Sequence, residues 1–355
     1  MLKSIIRIAA VLTGCILLVT GCIRREQLAP ETDPEEIRFQ AGSTLLRKDA
    51  GTKATTEEFT SNEDTFVVFG ERVTPANAHN LVFDDVTVRH QYSVQDGIDV
   101  WDYTPHHFWD WESIADYYDF VAVSPAGQGT ANEHAVGRIS ISTHYDCLGD
   151  VGQSIQPDKY DILAAAYRRP GSVSNPISTV DLHFSHMGSA VGVTIHNISQ
   201  TKSITVSSLH FKNLVVRANA RVTLDNFGYP SYSWVNLERS TADVRRLAKS
   251  PATTIVPESQ YTGEYQIMIP QDLSIPGANQ PTLVLTYTPQ GGSETTESIP
   301  LRDILQEDST PITRWNIGVK YHYVISFRLD GGLRVTVTTT PWDVPVEGET
   351  PGILI

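Results

Sequence analysis

Short runs of alternating or β-branched apolar residues recur from residue 37 to residue 340 of the chain. A period of two predicts β-strands that bury one face. The predicted strands are, in chain order, residues 37–39, 65–69, 87–92, 118–123, 138–142, 180–184, 190–196, 204–211, 214–223, 265–269, 283–288, 319–329 and 333–340. Turn signals separate them, and the last two strands flank Asp330-Gly331-Gly332, which predicts a β-hairpin.

Helical patterns are scarce in the chain. Only residues 111–117 and 298–305 favour short helices, and no long segment keeps the helical period of apolar residues. The pattern therefore predicts an all-β fold built from sandwiches. Two prolines and a glycine interrupt the strand pattern at residues 168–176. We therefore expect an N-terminal β-sandwich domain over residues 35–172 and a C-terminal β-sandwich domain over residues 173–355.

The start of the chain carries an export pattern. Two cations precede an apolar run at residues 8–19, which is short for a membrane-spanning helix and typical of a signal peptide. The run ends in Val-Thr-Gly-Cys, which resembles the box at which bacterial lipoproteins are cleaved and lipidated on the cysteine. A second box ends at Cys15, but its use would leave too short an apolar core. We predict a signal peptide over residues 1–21, lipidation of Cys22, a tether over residues 22–34 and a membrane-anchored protein.

Charge and cysteine content exclude several classes of function. The formal net charge is -14, and a surface this acidic repels phosphate backbones, so nucleic acid is not an expected partner. Three cysteines in 355 residues cannot supply a disulfide framework. Cys147, the one cysteine beyond the signal region, follows Asp146 and has no cation nearby in sequence. We interpret it as a packed residue in preference to a nucleophile paired with His144.

The densest aromatic stretch carries Trp101, Trp109 and Trp111. Three interpretations are open. The indole rings contact a sugar, or Asp110 and Glu112 form the acid–base pair of a glycosidase, or the rings fill a sandwich core. The core interpretation is favoured. The histidines lack a zinc-ligand spacing, and no motif of a serine hydrolase, a metalloprotease or a phosphate-binding loop occurs. We therefore expect no catalytic residue, no metal and no cofactor.

Several segments, taken in order, resemble the fimbrillin-like proteins, the type V pilins of anaerobic Gram-negative bacteria. The matching segments are the lipoprotein signal and residues 36–39, 52–54, 66–70, 108–109, 118–125, 180–190, 315–323 and 334–342. Together they span nearly the whole chain, and their order is more specific than any single segment.

The resemblance implies two transthyretin-like β-sandwich domains in tandem and assembly into a surface fimbrium. It also implies that the lipidated precursor reaches the outer membrane, where a trypsin-like protease removes an N-terminal segment that includes the first strand. The resemblance further implies that the loss of this strand opens a groove, which the C-terminal strand of a neighbouring subunit then fills. Such strand addition covers apolar surface and pairs free backbone groups, and a head-to-tail contact that does not close grows a filament.

Candidate processing sites follow the first predicted strand. Arg47 and Lys53 lie among small and polar residues, which predicts an exposed, cleavable loop, and the choice between them is open. Residues 333–355 are the candidate donor strand, although two prolines weaken this interpretation for the tail. The resemblance implies other fimbrial subunits as partners, in a homo- or heteropolymer acting as stalk, tip or anchor. The alternative is a surface lipoprotein or tip adhesin that binds a host glycan or protein receptor through the three tryptophans.

Overall fold

Strands make up most of the structure. The computed structural model describes residues 35–43, 59, 62, 64–110, 115–126, 140–146, 161–171, 179–241, 243–246, 252–263, 265–328 and 332–342. Within these residues the regular helical segments are two 3-10 turns, Gly277–Asn279 and Leu301–Asp303. No helix in this part of the chain is both long and apolar enough to span a membrane.

The described residues form twenty strands. In chain order they are β1 (Arg38–Ser43), β2 (Thr65–Val73), β3 (His79–Ser93), β4 (Ile98–Asp102), β5 (Tyr117–Ser124), β6 (Ser140–Asp146), β7 (Leu163–Pro170), β8 (Thr179–His186), β9 (Ser189–Asn197), β10 (Ile204–Lys212), β11 (Val215–Leu224), β12 (Pro230–Arg239), β13 (Asp243–Arg246), β14 (Thr253–Ile255), β15 (Ser259–Thr262), β16 (Gln266–Met268), β17 (Thr282–Pro289), β18 (Thr295–Pro300), β19 (Val319–Phe327) and β20 (Leu333–Pro341).

The first sheet closes on itself. Its order is β1–β4–β3–β2–β5–β7–β8, and β8 returns to pair with β1. Neighbouring strands are antiparallel except β1 and β8, which run parallel. Because parallel neighbours need a long connection, this pair joins residues that are far apart in sequence.

Three further sheets complete the fold. Their orders are β12–β11–β6, β13–β10–β17–β18 with β14 also on β10, and β15–β9–β19–β20 with β16 also on β9. Strands β9 and β19 are parallel. The predicted hairpin at residues 319–340 is confirmed, since β19 and β20 are antiparallel from Phe327 opposite Leu333 to Val319 opposite Pro341.

Alternate residues of the closed sheet enter two different cores. On β2, Phe66 and Val68 belong to a compact aromatic core, whereas Val67 and Phe69 belong to the larger core that includes the other sheets. Strands β5 and β7 divide their side chains in the same way. Because both faces are covered, these strands carry continuous apolar runs, at residues 66–69, 120–123 and 163–166, instead of alternating between apolar and polar residues there.

The predicted all-β, sandwich-like fold is confirmed. The helix predicted at residues 298–305 is wrong, because this segment contains the end of β18 and the 3-10 turn Leu301–Asp303. Strand pairing crosses the predicted boundary at residue 172, since β7 and β8 are neighbours in the closed sheet and β6 pairs with β11. The division into transthyretin-like domains at residues 35–172 and 173–355 stays a prediction.

Candidate functional site

The first strand completes the closed sheet and is the candidate site. Strand β1 lies parallel to β8 along its whole length, from Arg38 opposite Thr179 to Ser43 opposite Phe184. Its other edge meets β4 at a single position, Phe39 opposite Trp101. A strand held in this way leaves two open sheet edges behind when it is removed.

The residues that lead into β1 supply further backbone hydrogen bonds on the side of β4. The amide of Ile37 donates to the carbonyl oxygen of His107 at 2.8 Å, and the amide of Trp109 donates to the carbonyl oxygen of Glu35 at 2.9 Å. The first strand is therefore fixed by its main chain to two segments that lie later in the sequence.

Side chains of the first strand alternate between core and solvent. Ile37 is fully buried and Phe39 is 5% exposed, whereas Arg38 and Gln40 are exposed. Ala41 is half-buried and continues the inward face. The inward face thus presents an aliphatic, an aromatic and a small residue at alternate positions, as strand geometry requires.

The ring of Phe39 lies in a pocket of four aromatic rings, which we call the Phe39 pocket. Its members are Phe66, Phe83, Tyr103 and Phe120, at centroid distances of 5.8, 5.3, 5.6 and 5.9 Å and in edge-to-face geometry. Such pairs add to the free energy gained by burial.

Gly70 makes room for two rings of the Phe39 pocket. A Cβ atom at this position of β2 would lie 2.9 Å from ring carbons of both Phe83 and Phe120. Real Cβ atoms do not approach so closely, so only glycine allows these rings to meet over the strand. The sequence signal for this contact is the glycine inside an otherwise apolar strand.

Tyr103 joins the pocket to the backbone of the first strand. Its hydroxyl donates to the carbonyl oxygen of Ile37 at 2.5 Å. Burial raises the pKa of Tyr103 to about 12, so the hydroxyl keeps its proton and remains a donor at neutral pH.

A polar rim lies outside the pocket. The carboxylate of Glu36 contacts the ring Nδ1 of His106, and Arg38 Nε lies 3.3 Å from the same carboxylate. Arg38 and His106 are well exposed, and exposed ion pairs contribute little to stability. Burial of the inward face therefore dominates the attachment of the first strand.

Trp101 and Trp109, two of the tryptophans that the sugar-contact interpretation invokes, do not form a flat exposed surface. Trp109 is 6% exposed and packs edge-to-face on Tyr118 at 4.8 Å. Trp101 is half-buried, with its ring stacked on His90 at 4.6 Å and tilted against Phe66 at 5.0 Å. Both rings pack with the aromatic core that holds β1, as the core interpretation expects, and Trp109 has no free face for a sugar.

The acid–base pair of the glycosidase alternative, Asp110 and Glu112, is only half described. Arg72 Nη1 donates to a carboxylate oxygen of the exposed Asp110 at 2.5 Å, which makes this carboxylate half of an ion pair. Glu112 lies outside the described residues. Among the residues that are described, no three potential metal ligands come together.

The model of the fimbrillin-like family matches residues 52–342, which include every strand from β2 to β20. The chain belongs to the fimbrillin-like family. Strand β1 precedes the matched segment, and the match ends at Trp342. No curated protein sequence matches the chain.

Solved structures share the fold of this fimbrillin-like chain. A candidate cell adhesion protein from Bacteroides uniformis is 16% identical with a TM-score of 0.50, and the match covers 88% of this chain and 99% of that one. A fimbrial protein from Bacteroides vulgatus is 15% identical with a TM-score of 0.50, and the match covers 87% of this chain and 99% of that one. At these identities the likeness shows the fold.

The last described strand of the fimbrillin-like chain lies at a sheet edge, and the residue after it is fixed. Strand β20 pairs with β19 and also meets Leu305 at an isolated bridge, where the Val337 amide donates to the Leu305 carbonyl oxygen at 3.2 Å. The last four residues of β20 are exposed. Trp342 follows it, is 1% exposed, and stacks on His186 of β8 with ring centroids 3.9 Å apart. The Trp342 amide donates to the carbonyl oxygen of Gly318 at 2.7 Å. Trp342, which lies within the predicted donor segment, is thus docked next to β8.

Several predicted sites lie outside the described residues. They are the signal peptide at residues 1–21, Cys22 and the tether at residues 22–34, the processing candidates Arg47 and Lys53, Trp111, and the tail after Trp342. These stay predictions. Sequence reasoning placed Phe39 in a predicted strand and in a family segment but missed its pocket, because the pocket residues come from four different strands or loops.

Proposed function

We propose that the chain is a subunit of a surface fimbrium that is incorporated by strand exchange after its first strand is removed. Membership of the fimbrillin-like family supports a fimbrial role. The observation that supports strand exchange is the position of β1, which closes a sheet through backbone pairing and one row of inward side chains. Its replacement by a strand from another subunit restores the same hydrogen bonds and the same core.

Proteolysis can separate the first strand from the body of the subunit. Strand β1 ends at Ser43 and β2 begins at Thr65, and both candidate bonds, after Arg47 and after Lys53, lie between them in the sequence. Cleavage at either bond leaves the first strand attached only by non-covalent contacts. A structural and adhesive role without catalysis fits this arrangement.

The proposal includes a lipid anchor at the outer membrane before processing. Cys22 carries the lipid, and residues 22–34 tether the folded part to the membrane. Cleavage after Arg47 or Lys53 separates the folded part from this anchor. One proteolytic event therefore both opens the sheet and releases the subunit from its tether.

The test compares fibres sheared from the surface of the source bacterium with the remaining cells. We expect the chain in the fibre fraction with an N-terminus directly after Arg47 or Lys53, measured by mass spectrometry. The double variant Arg47→Ala/Lys53→Ala should stay cell-associated with an intact N-terminus. Arg302→Ala removes a partly exposed arginine from the 3-10 turn Leu301–Asp303, far from the first strand in sequence, and is the matched control, which should behave as the unmodified protein.

Two outcomes would contradict parts of the proposal. Uncleaved double variant in fibres at the unmodified level would contradict processing as a requirement for assembly. Absence of the chain from surface fibres of the unmodified strain would contradict the subunit role. Lipidation is tested separately, because Cys22→Ala should lose the lipid mass and the partition into detergent.

A further inference from the structure

A cavity of about 520 Å³ lies at one end of the closed sheet. Arg72 of β2 lies opposite Asn80 of β3 on one side and opposite Tyr118 of β5 on the other, and each is next to the terminal residue of its strand. Because residues opposite each other in antiparallel strands point to the same face, these three side chains form one wall of the cavity. Small-molecule sites have volumes of about 300–1,000 Å³ and often lie at the mouth of a closed sheet.

The segment after β4, residues 107–110, forms the facing wall and is fixed by its backbone. The Asp110 amide donates to the Tyr118 hydroxyl at 2.9 Å, and this hydroxyl donates to the Asp110 carbonyl oxygen at 3.1 Å. Phe108 forms an isolated β-bridge with Glu36. This wall is therefore formed before any ligand arrives, which lowers the entropic cost of binding.

The charged groups at the cavity are paired with each other. Arg72 is 7% exposed, and its Nη1 donates to the carboxylate of Asp110 at 2.5 Å and to the carbonyl oxygen of the same residue at 2.6 Å. A carboxylate oxygen of the buried Asp116 lies 3.9 Å from Arg72 Nε. Burial, with a smaller effect of His106, lowers the pKa of His107, so this ring is uncharged at neutral pH. The cavity therefore offers no unpaired charge to an ionic ligand.

Apolar and hydrogen-bonding groups are available at the mouth of the cavity. Phe108 is 48% exposed and Leu81 is 45% exposed. Asn80 is exposed, and its amide supplies both donors and an acceptor. The Asp110 side chain is 75% exposed, and a carboxylate has about four acceptor positions, so it can accept bonds beyond the one from Arg72. A sugar ring has an apolar C–H face and hydroxyl groups around its edge, which matches an aromatic ring bordered by an amide and a carboxylate.

We propose that this cavity binds a neutral sugar residue of a glycan, with the C–H face of the sugar on Phe108 and its hydroxyl groups bonded by Asn80 and Asp110. The site is distinct from the predicted tryptophan contact, because Trp109, the residue after Phe108, is buried in the aromatic core. This inference goes beyond the proposed function, since a subunit can be incorporated into a fimbrium whether or not it binds a sugar.

The experiment applies the full chain to an array of printed neutral, sialylated and sulfated oligosaccharides. The neutral glycan with the strongest signal is then titrated by calorimetry into the unmodified chain, Asn80→Ala and Phe108→Ala. Asn279→Ala and Phe227→Ala are the matched controls, because they remove the same atoms from exposed side chains outside the cavity. The midpoint of urea unfolding checks that each variant is folded.

We expect the neutral glycan to bind the unmodified chain about 10-fold more tightly than Phe108→Ala, because the ring loses its contact with the sugar. Asn80→Ala should bind about 5-fold more weakly than the unmodified chain, the factor for one lost hydrogen bond. Both controls should bind as the unmodified chain does.

Three results would overturn the inference: no neutral glycan bound on the array, binding of sialylated or sulfated glycans alone, or equal affinities of Phe108→Ala and Phe227→Ala. Self-association of the unmodified chain that is lost in Phe108→Ala, without glycan binding, would also overturn it and assign the cavity to a second copy of the chain. None of these results bears on incorporation into fimbriae, which the N-terminus of the chain in the fibre fraction tests separately.

Discussion

Replacing Phe39 with alanine should weaken the attachment of the first strand more than the truncation of any other side chain of β1 to alanine. The side chain is 5% exposed and touches four rings of its pocket. An aromatic side chain buries about 150–250 Å², which corresponds to about 4–6 kcal/mol at about 25 cal/mol per Å². Alanine retains part of this burial, and truncation of buried phenylalanine costs about 3–5 kcal/mol. We expect a loss of about 3–5 kcal/mol for Phe39→Ala.

The assay is urea unfolding of the intact chain, together with hydrogen exchange of the β1 amides. The matched control is Phe227→Ala, which removes the same atoms from a side chain that is 81% exposed in the turn between β11 and β12. Its effect should stay within about 0.5 kcal/mol. Phe39→Ala should also raise the exchange rates of β1 more than those of β19, since the lost contacts hold only the first strand and its neighbours.

A result near that of the exposed control would refute this reasoning. If Phe39→Ala lowered the free energy of unfolding by less than about 1 kcal/mol and left β1 protected, burial of the ring would not be what holds the strand. The backbone pairing with β8 would then carry the attachment.

Four further variants test the packing and titration of the fold by urea unfolding. Gly70→Ala should lower the free energy of unfolding by about 1–3 kcal/mol, because the added Cβ overlaps two rings of the Phe39 pocket at 2.9 Å. An unchanged midpoint of urea unfolding would contradict this. Arg168→Met removes two bonds, of 2.6 and 2.7 Å, to the buried carboxylate of Asp119 and should cost about 2–3 kcal/mol. Burial raises the pKa of Tyr103 from 10.0 to about 12, so stability should fall as the pH rises from 10.0 through about 12, and less steeply in Tyr103→Phe. Burial lowers the pKa of His322, so stability should fall as the pH drops below 6.5, and His322→Gln should lessen that fall.

Local patterns predicted many strands because a half-buried strand alternates along its own sequence. Strand β8 shows this most clearly, since its burial alternates from Val180 to His186. Strand β7 escaped prediction for the opposite reason. Its alanine run has neither a strand-like composition nor alternation, and it is a strand because β5 and β8 pair with it and cores cover both of its faces.

The prediction of a helix at residues 298–305 is wrong because β18 continues to Pro300. Ser298 to Pro300 continue the pairing of β18 with β17, and the chain then makes one 3-10 turn before Ile304 is buried. The spacing of Leu301, Ile304 and Leu305 imitates a helical face, although only Leu301 and Ile304 are buried, and Leu305 is exposed at an isolated bridge. Tertiary pairing here overrides the local pattern.

The candidate site could not be predicted from local sequence patterns, because it is formed by residues that are far apart in the sequence. Phe39 was recognisable as apolar, but its partners Phe66, Phe83, Tyr103 and Phe120 are contributed by β2, β3, the segment after β4, and β5. The parallel pairing of β1 with β8 joins positions on either side of the predicted domain boundary. Neither the aromatic pocket nor the pairing of β1 with β8 produces a periodic pattern along a single sequence.

Under the proposed function, closure of the first sheet would explain how removal of one strand controls assembly. While β1 is present, it covers the edge of β8, and open edges are what pair with other chains. Removal of β1 uncovers the edge of β8 over six paired positions together with the Phe39 pocket, so hydrogen-bond donors, acceptors and apolar surface appear in one place. The same strand β8 ends at His186, on which Trp342 stacks. Under the proposed function, a strand arriving at β8 would therefore contact the same strand on which Trp342 is docked.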